Sequence, residues 1–127
     1  MTTQATILLA ALLVGHFLGD FTSLATARMQ EAKANGRPMW LIAAHAAVHT
    51  LLTGLVVALV AWPEPAVMGL VVGVQFVTHF ALDAFRARLG VRVPELTDLG
   101  KNAYWTVLGL DQLAHGLVLL AITLIAI

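Results

Sequence analysis

The stretch GHFLGDF, Gly15 to Phe21, decides how this chain is read. It lies in a long apolar run and sets His16 and Asp20 four residues apart, where a helix facing hydrocarbon would carry neither. Ionisable groups inside a membrane segment are costly, about 2.5–3.5 kcal/mol for an Asp at the bilayer centre. They therefore call for a partner or a function. The run itself, from about Thr3 to Ala27, has close to the roughly 20 residues that a spanning helix needs.

Three more such runs follow, from about Met39 to Trp62, Ala66 to Arg86 and Ala103 to Ile127. KANGRP (Lys33–Pro38), WPEP (Trp62–Pro65) and RARLGVRVPELTDLGKN (Arg86–Asn102) separate them, each with Pro or Gly as breakers. Asp98 or Asn102 is expected to cap the last helix. Composition agrees with a membrane chain. Of 127 residues, 60% are hydrophobic and 11% charged, against about 45–50% and 25% in a soluble domain. The formal net charge is zero, which excludes a basic footprint for nucleic acid. Without cysteine there are no disulfides, thiolate ligands or thiol nucleophiles. The expected fold is all-α: one domain over residues 1–127, four transmembrane helices in an up-down-up-down bundle.

The first run is expected to be retained rather than cleaved as a signal peptide. MTTQAT, before it, has no Lys or Arg, and the run holds His16 and Asp20. Arg28, Lys33 and Arg37 lie in the first connection and Arg86, Arg88, Arg92 and Lys101 in the third. The positive-inside rule makes that side cytoplasmic and turns both termini outward. Trp40, Trp62, Tyr104 and Trp105 sit at span ends, where interfacial anchors belong. Gly15 with Gly19, and Gly69 with Gly73, have the small-residue spacing of close helix packing.

The pattern of GHFLGDF recurs in every span. HAAVH carries His45 and His49, HFALD carries His79 and Asp83, and DQLAH carries Asp111 and His115. Residues four apart share one face of a helix. Counted from the span ends, all four pairs fall roughly one to three turns inside the cytoplasmic boundary. An up-down-up-down bundle turns them into one layer of five imidazoles and three carboxylates.

Several chemistries use such a layer. Polar residues can serve as glue between helices, or Asp83 can pair with Arg86 one turn on, but glue contributes only about 0.6–2 kcal/mol per contact. Serine or asparagine would supply it at lower cost. Imidazole and carboxylate are ligands for zinc, iron or manganese, and a divalent cation would offset the buried aspartates. The eight candidates His16, Asp20, His45, His49, His79, Asp83, Asp111 and His115 exceed one tetrahedral shell, which implies either two ions or one ion with supporting residues. Asp20 and Asp111 are the firmest carboxylates, having no basic residue within two turns in sequence. Gln75, Thr53 and Tyr104 have weaker claims as supporting groups. A proton path is opposed by the absence of relay groups in LVVALVA and LVLLAITLIAI. A haem on two histidines would leave the aspartates unexplained.

GHFLGDF, HAAVHT, HFALDAFR and DQLAHG, in that order, resemble the four-span bacterial membrane proteins grouped as domain of unknown function 3307. The resemblance covers nearly the whole chain. That family usually has a glutamine shortly after its first Asp and a Lys-rich first connection; FTSLATARMQEAK lacks the glutamine. More loosely, the chain is similar to membrane-bound proteins described as metal-dependent hydrolases, which raises the expectation of a metal. The reading is a bacterial inner-membrane protein in the lipid bilayer with a His/Asp metal site. As a hydrolase it would use metal-bound water as nucleophile and an unligated Asp as base. A non-catalytic metal-binding or metal- or proton-transporting protein, and a purely structural polar layer, stand as alternatives. The sequence leaves the oligomeric state open.

Overall fold

The computed structural model describes residues 2–127 and is all-helical among them. Four helices are long and apolar enough to cross a bilayer: α1 (Thr3–Phe21), α3 (Met39–Val60), α4 (Pro65–Arg92) and α5 (Asn102–Ala126). They close a ring in which α1 packs on α3, α3 on α4, α4 on α5 and α5 on α1. A short α2 (Ala27–Asn35) lies against α3 and α4. A 3-10 turn, Pro94–Thr97, bridges α4 and α5.

Burial follows depth. One apolar cluster joins Leu8 and Leu12 from early α1, Val57 from late α3, Val71 from early α4, and Leu119, Ile122 and Ala126 from late α5. That alternation of early and late positions is the up-down-up-down arrangement. A smaller cluster of Ala32, Ile42 and Ala87 closes the opposite end beneath α2. The histidine layer lies between the two. Leucines on the outer faces, such as Leu51 at 74% exposure and Leu59 at 73%, are left for lipid.

Helix ends depart from expectation in three places, each with a local cause. α1 stops at Phe21, where Thr22 turns extended, well short of Ala27. Thr26 then caps α2 by accepting from the Met29 N–H, and Gly36, at φ 68°, ends it in the left-handed region. The polar ARMQEAKAN lacks an apolar stripe, so sequence periodicity reads it as a loop. α4 continues past Arg86 to Arg92. Gly90 does not break it; a Cβ there would come within 2.8 Å of Thr97 Cγ2, so glycine admits the 3-10 turn. At 28 residues α4 is about 42 Å long, so it extends beyond a hydrocarbon core of about 30 Å.

Neither Asp98 nor Asn102 caps α5. Lys101 is the N-cap residue without a side-chain bond, while Asp98 Oδ1 accepts from the Gly100 N–H at 2.9 Å within the turn. Gly69 and Gly73 pack on nothing, since a Cβ at either meets no atom within 4 Å. Gly15 and Gly19 do face a neighbouring helix, α3. Trp40, Trp62 and Trp105 are all exposed at helix ends, as anchors require.

Candidate metal centre

The i, i+4 pairs converge. α1 supplies His16 and Asp20, α3 His45 and His49, α4 His79 and Asp83, α5 Asp111 and His115. The five rings form one cluster, with centroids 3.8 Å apart for His49 and His79, 4.4 Å for His79 and His115, and 4.7 Å for His45 and His49. His16 sits 5.0 Å from His49 and 5.1 Å from His115. Close approach of α1 to α3 makes this possible. A Cβ on Gly19 would collide with the His49 ring, so only glycine fits there.

Six of the eight candidates offer atoms that converge within 4.8 Å of one another: Asp20, His45, His49 and His79 in one group, and His79, Asp83 and His115 in a second. His79 belongs to both. His16 and Asp111 stand outside them. Asp111 is held by Arg86 Nη1, which donates to its Oδ2 at 3.2 Å, and by Gln112 Nε2 at 3.3 Å. Asp111, with no basic residue within two turns in sequence, thus meets one across the bundle, and the alternative pairing of Arg86 with Asp83 does not form. Arg86 reaches across to α5 instead of one turn along its own helix.

Asp20 has a basic neighbour too. Lys33 of α2 places Nζ 3.1 Å from Asp83 Oδ1, 3.7 Å from Asp20 Oδ1 and 3.3 Å from His45 Nε2. Its contact with Asp83 is one of charge and not a hydrogen bond, since both Asp83 oxygens lack hydrogen-bond partners. Gln112 is the other member that sequence reasoning missed. Its Nε2 donates to Asp20 Oδ2 at 3.2 Å while its Oε1 accepts from His16 Nε2 at 3.3 Å, joining α5 to α1. The signal for Gln112 was present, a polar residue one place after Asp111 deep in a span. No sequence signal showed that α2 folds Lys33 back under the bundle.

The hydrogen bonds of the layer leave lone pairs unused. His115 Nδ1 donates to the Asp111 carbonyl at 2.8 Å, which puts the lone pair on Nε2, and that atom has no partner. A backbone carbonyl fixing one nitrogen so that the other can bind is the usual arrangement around a metal-binding histidine. His49 Nε2 and both nitrogens of His79 are also buried without hydrogen-bond partners. Burying so many unpaired polar atoms costs about 1–3 kcal/mol each.

Of the residues with weaker claims, Gln75 is buried one turn from His79 with its Oε1 unpartnered, and Thr53 is buried one turn from His49. Tyr104 lines a cavity of about 400 Å³ that opens between α2, α4 and α5. Asp20, Lys33, Asp83, Arg86 and Gln112 line it as well, so the polar layer meets that cavity from one side.

No curated protein and no solved structure matches the chain. The family described as protein of unknown function, DUF3307, matches residues 8–127, all but the first few positions, and the chain belongs to that family.

Proposed function

We propose that this chain is a multi-pass protein of the bacterial inner membrane that holds a divalent transition metal within its bundle and acts as a metal-dependent hydrolase. The observation that carries the reading is the convergence of imidazole nitrogens and carboxylate oxygens from all four spanning helices, in one group drawn from three helices and a second from two, with His49 Nε2, His79, Asp83 and His115 Nε2 lacking hydrogen-bond partners. Asp20, His45, His49 and His79 are the first ligand set, and Asp83 and His115 extend it around His79. Zinc suits this nitrogen-rich set best, with iron or manganese next.

The residues outside the set have supporting work. Gln112 orients Asp20, the Asp111 carbonyl fixes the His115 ring, and His16 closes the α1–α5 side. A divalent ion here would supply Lewis acidity at the edge of the cavity. The cavity favours a reactive site over a closed structural one, because Asp20, Lys33 and Asp83 lie on its wall, so the polar layer borders an open volume. By the positive-inside rule the cavity faces the cytoplasm and both termini lie outside.

One observation favours a metal-free polar layer instead, namely Lys33 beside Asp83 and Asp20, where it already offsets negative charge. Thermal unfolding separates the two. Purified protein stripped with a chelator should unfold at a lower temperature, and zinc, iron or manganese should restore it. Stripped protein that unfolds like the untreated sample, with no response to any of the three metals, would favour the metal-free layer.

A further inference from the structure

Lys33 sits where the metal reading requires a different cation. Its ammonium is within 3.7 Å of three candidate ligand atoms, Asp83 Oδ1, Asp20 Oδ1 and His45 Nε2. An ammonium and a divalent ion cannot share those atoms, because like charges a few ångströms apart repel strongly away from bulk water. Lys33 is on α2, outside the ring of spanning helices, and its side chain lines the cavity. A flexible four-carbon stem lets the ammonium leave the carboxylates without moving the backbone.

Charge counting says what it would meet there. Asp20, Asp83 and Asp111 face Lys33 and Arg86, so with neutral histidines the layer carries one net negative charge. A divalent ion makes that one net positive charge. Arg86 lines the same cavity and engages Asp111 through Nη1, which leaves other guanidinium donors for a ligand. Metal, Lys33 and Arg86 would then be three positive centres around one volume of about 400 Å³. A net charge of one suits any anion, but a phosphate group offers three or more acceptor oxygens where a carboxylate offers two, enough for the fork of Arg86, the ammonium and the metal together.

Building on the metal reading, we infer that metal entry displaces Lys33 from Asp83 and Asp20 into the cavity, where Lys33 and Arg86 bind a phosphate group beside the metal. The substrate class is therefore a phosphate ester. The group can belong to a soluble ester or to a lipid headgroup, and both present the same oxygens.

The test uses the full chain in phosphatidylcholine nanodiscs, with zinc and inorganic phosphate as probes followed by calorimetry. Phosphate should bind zinc-loaded protein at least about tenfold more tightly than metal-free protein, and phosphate should tighten zinc by the same factor, since coupling is reciprocal. Lys33→Met should change the two affinities in opposite directions. Zinc should bind about tenfold more tightly without its competitor, and phosphate about tenfold more weakly. Should that variant fail to fold, Arg86→Gln gives the second reading, with phosphate weakened to a similar degree and zinc content unchanged. Nanodiscs containing phosphatidic acid identify the source. Loss of soluble phosphate binding there supports a headgroup ligand, and unchanged binding supports a soluble one. Equal phosphate affinity with and without zinc, or parent-like phosphate binding by both variants, would overturn the exchange alone. A parent that takes up no zinc would overturn the metal reading and the exchange with it.

Discussion

Replacing Gly19 with alanine tests the helix contact on which the histidine cluster depends. The added Cβ would collide with Cε1 of His49 and come within 2.6 Å of Nε2 and 2.9 Å of Nδ1. Either the ring turns away or α1 and α3 separate. Overpacking of this kind costs about 1–3 kcal/mol, whereas the gain in helix propensity from Gly to Ala is only about 0.5–1 kcal/mol. The net expectation is a loss of about 1–2 kcal/mol. His49 also leaves its place among the candidate ligands, so metal content should fall with stability. Gly69 and Gly73 are the internal controls. A Cβ at either meets open space, so alanine there should leave stability equal or slightly higher and metal content unchanged. Thermal unfolding and elemental analysis of the three variants in one detergent would decide it. A Gly19→Ala protein as stable and as metal-rich as the parent would refute the packing argument.

The aspartates should separate by role. Asp20→Asn and Asp83→Asn should lower metal content and stability together, because a neutral amide replaces a converging carboxylate, while Asp111→Asn should weaken the tie to Arg86 and α5 with little loss of metal. Equal metal loss in all three would return Asp111 to the ligand set. For topology, a reporter fused at the C-terminus should be active outside the cytoplasm and one inserted at Gly36 inside it. A cytoplasmic C-terminus would reverse the orientation of the cavity.

Much of this was legible because two periodicities coincide. Apolar runs of spanning length gave the four long helices, and the i, i+4 spacing of each polar pair gave the inward face. Equal distance from the breakers gave the common depth. What escaped was set by contacts between helices. ARMQEAKAN has the composition of a loop, and it forms α2 because Thr26 and Gly36 cap it and Ala32 packs with Ile42 and Ala87. Lys33 enters the site only through that placement. Arg86 reads as a neighbour of Asp83 along one helix, yet α5 brings Asp111 closer to its guanidinium. Gly69 and Gly73 share the spacing of Gly15 and Gly19, but spacing alone does not say which face meets a helix and which meets lipid.

Elemental analysis of the purified protein and of the His45→Ala, His49→Ala double variant is the most direct measurement of the central claim. The account predicts roughly one or two transition-metal ions per parent chain, one ion accounting for a single tetrahedral shell and a second for the carboxylate and ring beyond it. The double variant should hold little metal, while Gln75→Ala should match the parent. Parent protein without metal, or a folded double variant with the parent's full content, would contradict it.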